Sequence, residues 1–206
     1  MTQDAERRTD RLPLILLGMV TLLLMWSGIK PADRMVWLLE TFPVMVAAGI
    51  LIPTYRRFTL SRSTYIWIAL HAAILIIGGK YTYAEVPVGN WLRDTFDLSR
   101  NHYDRLGHFA QGFVPAVVTR EVLLRTSPLK PGKWLFVIVV SICLAISALY
   151  ELLEWGVAMV ETPGSNAFLG TQGDIWDTQK DMALCLVGSV VASGIGHRKK
   201  AGGHGE

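Results

Sequence analysis

The chain has 206 residues, of which 51% are hydrophobic and 18% charged, the latter below the roughly 25% usual for soluble domains. Its mean hydropathy is +0.34, and its net charge of +3, with no basic block in mid-chain, argues against a nucleic-acid partner. The composition is that of a membrane protein, and Cys143 and Cys185, inside apolar runs without metal-ligand spacing, read as buried free thiols.

A helix needs about 20 mostly apolar residues to cross hydrocarbon. Residues 12–29 form an uncharged run behind MTQDAERRTDR. The run exceeds a signal-peptide core and lacks an Ala-x-Ala cleavage site, which predicts an anchoring first span. Residues 35–53 give a second span with Glu40 and Pro43 inside it, and 64–79 a third with His71 partway along. Next comes EVPVGNWLRDTFDLSRNH, where Trp91, Leu92, Thr95 and Phe96 share a helical face and Arg93, Asp94 and Asp97 lie off it. That pattern predicts a short interfacial helix over 88–97. The fourth span, 103–125, mixes polar residues into a helical apolar pattern, and 133–160 is the fifth. Residues 161–173, ETPGSNAFLGTQG, are turn-forming and read equally as a lid or a connector. The sixth span reaches full length only if it begins near Asp174, giving 174–196. The expected fold is an all-α polytopic transmembrane helical bundle of six spans, a single membrane domain over 1–206.

Basic residues orient these spans, because Lys and Arg accumulate in cytoplasmic loops. They cluster at Arg7, Arg8 and Arg11, at Arg56, Arg57 and Arg62, at Arg125, Lys130 and Lys133, and at Arg198, Lys199 and Lys200. Lys180 is the sole cation of residues 161–181. The bias alternates with every span, so both termini are expected in the cytoplasm.

This topology sorts the ionisable residues by depth. Asp104 and His108 lie one helical step apart in the first turns of the fourth span. Glu151 and Glu154 fall on the last turns of the fifth, and Asp174, Asp177 and Asp181 begin the sixth at i, i+3 and i+7. Six carboxylates and a histidine thus converge at the outer end of the bundle, with Glu40 as a further acid from the second span. So many carboxylates in a low-dielectric site must be protonated or bind cations. Asp and Glu oxygens with one imidazole suit Mg²⁺, Mn²⁺ or Ca²⁺, with Zn²⁺ or Fe²⁺ admitted through His108. The expected metal ligands are Asp104, His108, Glu151, Glu154, Asp174, Asp177 and Asp181. Of these, His108, Glu154 and Asp177 are the catalytic candidates. Arg105, beside two helix N-termini, favours an anionic group such as phosphate, and Tyr103, Arg105, Gln172 and Gln179 are the substrate-binding candidates. A metal beside an anion site suggests metal-assisted hydrolysis or transfer.

Plainer readings compete. Asp174 and Asp104 serve as helix caps in one of them, and Glu151 and Glu154 pair with Arg105 and Lys180. His71, in another span, reads as a packing or hydrogen-bonding histidine. No Ser/His nucleophile constellation or phosphate-cradling glycine loop is present.

The segments YDRLGHFAQGF, YELLEW and LGTQGDIWDTQKDM, in this order, resemble the YjdF-like family of bacterial inner-membrane proteins, a family that brings no established activity with it. More distantly, an Asp and a His on one span, a Glu on the next and Asp pairs before the last resemble VanZ-like membrane proteins, linked to glycopeptide resistance. Asp104, His108, Glu151 or Glu154, and Asp177 or Asp181 match that pattern, and Asp104-Arg105 stands where an Asp-Lys pair is usual. The resemblance implies a multi-pass protein of the bacterial inner membrane. Two functions then stand: a metal-dependent hydrolase or transferase acting on an anionic envelope lipid or lipid-linked phosphate, and a non-catalytic ion-handling or partner-binding protein with structural carboxylates.

Overall fold

The computed structural model describes residues 10–160 and 172–201, with residues 160 and 196–201 described by backbone alone. Residues 161–171, which hold most of the expected lid or connector, Arg7, Arg8 and the side chains of Arg198, Lys199 and Lys200 therefore lie outside the described residues. The regular structure of the described residues is all helical, with no strand: α1 (Leu12–Gly28), α2 (Arg34–Thr54), α3 (Arg62–Tyr81), a 3-10 turn (Tyr83–Glu85), α4 (Pro87–Thr95), α5 (Tyr103–Thr126), α6 (Lys133–Val160) and α7 (Asp177–Ala201). The chain divides into two compact units, Met1–Asp104 and Arg105–Glu206. Their boundary falls inside α5 after its second residue, so that helix is described whole.

In the first unit α1, α2 and α3 each start on a local polar signal. Asp10 Oδ1 accepts Leu12 N–H at 3.0 Å ahead of α1. The Asp33 carboxylate caps α2 by accepting the N–H groups of Met35 and Val36 at 2.8 and 2.9 Å, and Ser61 Oγ caps α3 through Thr64 N–H. α1 and α2 each pack along α3 and barely touch one another. Val44, Ala72 and Ile76 form the core between them, lined by Val20, Leu23, Leu24 and Leu75. α1 and α2 meet near Gly28, where Trp37 Nε1 donates to Ser27 Oγ at 2.9 Å. The Lys80 ammonium, from the last turn of α3, donates to the carbonyls of Ile29 and Lys30 and lies over the Trp26 ring.

The second unit packs α5, α6 and α7 around Ala116, Leu135, Val139, Cys143, Cys185 and Ala192. α5 and α7 approach backbone to backbone. A Cβ on Gly112 would stand 1.9 Å from the Cys185 carbonyl oxygen, and one on Gly188 2.2 Å from that of Phe109. Cys185 Sγ donates to Cys143 O at 3.5 Å, and both thiols are free and buried.

Both units invert the burial pattern of a water-soluble domain. Ser27, Thr41, Thr64, Ser147 and Ser189 are among the fully buried side chains, while Leu14, Leu22, Phe42, Ile50, Leu149 and Met159 are exposed. Helices that pack through small and polar groups and turn large apolar ones outward are suited to a lipid solvent.

Arg34–Thr54, Arg62–Tyr81 and Lys133–Met159 are long and apolar enough to cross a membrane, and Leu12–Gly28 is apolar but shorter. α5 and α7 fall outside that group: besides the buried Asp104, His108, Asp177 and Asp181, α5 carries Arg105, Arg120, Glu121 and Arg125, and α7 Thr178, Gln179 and Lys180. Five of the expected spans coincide with a helix to within two residues at each end. The sixth begins at Asp177 instead of Asp174. Asp174 stands before it and accepts Trp176 N–H on its side chain at 3.1 Å, a turn that holds it out of the helix. Over the segment expected at 88–97 the chain forms the short helix α4, Pro87–Thr95. It stops at Thr95 because Asp97, at φ 50°, leaves helical geometry.

Candidate functional site

α5 is anchored before it begins. Asn101, fully buried, accepts Tyr103 N–H on Oδ1 at 3.0 Å and donates from Nδ2 to Val86 O and Asn90 Oδ1 at 3.1 and 2.9 Å. The Tyr103 hydroxyl donates to Ile74 O at 3.0 Å and its ring lies against Tyr83. This residue, expected on the substrate side, is thereby engaged in packing.

One turn on, Asp104 and His108 project from the same face of α5, both buried. Arg100 Nη2 lies 3.7 Å from Asp104 Oδ2, and both side chains are screened from solvent. His108 Nδ1 is 3.1 Å from Gln111 Oε1 and 3.7 Å from Glu151 Oε1. Its Nε2 faces Asp181 Oδ2 at 3.9 Å. In the tautomer that donates from Nδ1 to Gln111 Oε1, Nε2 is left facing Asp181, while Glu151 Oε1 at 3.7 Å stands beyond hydrogen-bond reach. Asp104, His108 and Asp181 each present one ligand atom within 4.8 Å of the others. Ligand atoms that share one divalent ion at about 2.0–2.6 Å stand about 3–4.5 Å apart, so these three fit a shared cation. The 3.9 Å separation of Nε2 and Asp181 is too long for a direct hydrogen bond.

The remaining expected residues separate into groups. Glu151, buried, stands on the Nδ1 side of the imidazole, its Oε1 3.7 Å away. Asp177 is buried one turn before Asp181, and Glu154 is half-buried one turn after Glu151. Asp174 belongs to a different cluster: Arg105 Nη2 approaches its Oδ2 at 3.5 Å and Lys180 Nζ at 2.5 Å. The two cations considered as partners for Glu151 and Glu154 thus meet Asp174. Gln172 and Gln179 are exposed. Gln179 is two positions from both Asp177 and Asp181, which turns it to the opposite side of α7. Glu40 is buried in the first unit, where a Cβ on Gly79 would meet its Cβ at 3.1 Å.

Sequence reasoning missed Arg100, Gln111 and the Gly112 and Gly188 pair. Helical spacing carried a signal for Gln111, three residues past His108. Arg100 stands four residues ahead of Asp104 but outside the helix, and a glycine in an apolar helix does not announce which neighbour it admits.

The family described as "Predicted membrane protein (DUF2238)" matches residues 12–201 of this chain. The chain is 48% identical over 171 residues to the inner membrane protein YjdF of Escherichia coli K12, which covers 83% of this chain and 82% of the relative. That bears out the YjdF-like resemblance, whereas the VanZ-like one remains a likeness of motif. No solved structure matches.

Proposed function

Because the chain belongs to this DUF2238 family of membrane proteins, we propose that it is a six-span inner-membrane protein, both termini cytoplasmic, that holds a divalent cation among Asp104, His108 and Asp181 at the outer end of its helices. The observation that carries the reading is the convergence of three buried ligand atoms within 4.8 Å, with Nδ1 of the imidazole turned to Gln111 and Glu151. Three protein ligands leave coordination positions for water and for an oxygen of an anionic group, the arrangement of a Lewis-acid site. Asp177 and Glu154, beside the set and outside it, are the groups available to move a proton. The reaction class this supports is hydrolysis or transfer at an anionic envelope lipid or lipid-linked phosphate, with Arg105 as the anion contact. Mg²⁺, Mn²⁺, Ca²⁺ and Zn²⁺ all suit two carboxylates and an imidazole.

A second reading rests on the ion pairs. Asp174 with Arg105 and Lys180, and Asp104 with Arg100, are contacts that a purely structural cluster also makes. Metal analysis of the purified protein separates the two. A metal site retains near-stoichiometric divalent ion, lost in His108→Ala and Asp181→Asn. Equal content in wild type and both variants, with the fold intact, leaves a scaffold. Within the metal reading, Glu154→Gln and Asp177→Asn are expected to insert normally, keep or raise the metal-free Tm, and lose function. A scaffold instead loses protein level and Tm in proportion.

A further inference from the structure

α4 has two unlike faces. Val88, Trp91 and Leu92, at i, i+3 and i+4, point outward and are exposed, and Phe96 extends the apolar surface past the helix end. Val86 and Gly89, on the other side, are buried. Into that side fits Asn101, with no exposed surface. A Cβ on Gly89 would stand 1.9 Å from Asn101 Oδ1, so a glycine is needed there. One asparagine thereby bolts α4, through Val86 O and Asn90 Oδ1, to the Tyr103 N–H that opens α5. Its chain neighbour Arg100 pairs with Asp104.

The occupant of the apolar stripe follows from what precedes α4. α3 is long and apolar enough to cross a membrane and ends at Tyr81, and the buried Tyr83 and Val86 hold α4 close to that end. With nine residues α4 is too short to cross, yet its stripe continues from a helix that does. Trp91 in the stripe is the residue type that settles at headgroup level. Arg93 pairs with Asp94 at 2.9 Å, so α4 presents no basic patch to anionic headgroups. We propose that α4 docks by Val88, Trp91 and Leu92 on the bilayer interface, and that Asn101 transmits this docking to the turn that carries Arg100 and Asp104. The lipid surface thus becomes a positioning element for the first carboxylate of the cluster.

The test uses the full chain in phosphatidylethanolamine/phosphatidylglycerol vesicles. A nitroxide on Trp91→Cys should be more accessible to oxygen than to a water-soluble relaxation agent, one on Asp94→Cys the reverse, and neither should change with the anionic lipid share. A label at 91 that reads as aqueous overturns the docking. One shielded from both probes shows a protein partner or a second copy on the stripe, and overturns it equally. Transmission is read by hydrogen exchange over residues 98–108. Trp91→Glu should speed exchange there about tenfold with Asn101 present, and add nothing in an Asn101→Ala background. Asn90→Ala, which removes one bond and keeps the glycine cradle filled, should weaken the effect if Asn101→Ala does not fold. An effect of Trp91→Glu that is absent, or the same in every background, overturns the coupling. No arm reads a bound ion, so the outcome is separable from that of the metal reading.

Discussion

His108 faces side chains of three helices: Gln111, one turn along its own helix, lies at 3.1 Å, while Glu151 of α6 and Asp181 of α7 stand at 3.7 and 3.9 Å. Removing an outer-shell partner of a metal-binding imidazole typically costs 10–100-fold in affinity. Gln111→Ala is accordingly expected to weaken Mn²⁺ or Zn²⁺ binding by about tenfold or more, measured by titration, with helicity unchanged. Arg100 tests the neighbouring carboxylate. Arg100→Met leaves Asp104 buried beside a vanished charge, a loss of about 3–5 kcal/mol for a buried pair. Its Tm should fall, and excess Mn²⁺ should restore part of the loss if Asp104 is a ligand. Unchanged Tm with and without metal would count against both roles. Much of this was legible in the chain. The i, i+4 steps from Asp104 to His108 and from Asp177 to Asp181 place each pair on one face with no structure in hand. The partition of the acids was not legible. Whether Arg105 and Lys180 would meet Glu151 or Asp174 depends on how two helices and a turn approach, and sequence spacing carries no distance between elements.

At the scale of elements, the crossing of α5 and α7 sets the site. Gly112 lies four residues past His108, and its missing side chain lets the Cys185 carbonyl come against α5, four residues past Asp181. A methyl group there must push the helices apart, and overpacking of this kind costs about 1–3 kcal/mol. Gly112→Ala and Gly188→Ala should therefore lower Tm and separate His108 from Asp181, weakening metal binding. Gly156→Ala and Gly194→Ala, where nothing lies within 4 Å of the added carbon, should change neither. A Gly112→Ala protein with wild-type affinity would mean that the crossing does not position the site. Helix ends were read from the sequence with far less error than these contacts. Apolar run lengths are local properties of the chain, and the caps Asp33 and Ser61 that the structure adds lie just ahead of the runs they start.

For the whole molecule, hydropathy alone singles out α2, α3 and α6, with α1 apolar but shorter. α5 and α7 bury Asp104, His108, Asp177 and Asp181, and α7 also exposes Thr178, Gln179 and Lys180 in its first turn, which together lower their mean hydropathy, while Leu106, Val187, Val190 and Val191 are exposed further along. Six spans with cytoplasmic termini predict that reporter fusions after Lys130 and at the C-terminus face the cytoplasm, and that fusions near Gly89 and Ser165 face outside. A cytoplasmic signal at Ser165 would put Asp177 and Asp181 on the wrong side for the proposed site. The first unit also has an implication for how the protein is made. α3 lies between α1 and α2, and its Lys80 reaches back to the carbonyls of Ile29 and Lys30. A ribosome delivers α1 and α2 first, before the helix they pack against exists. Two early helices with few contacts between them gain their common packing surface only once residue 80 has been made, so this unit matures as a trio rather than as successive pairs.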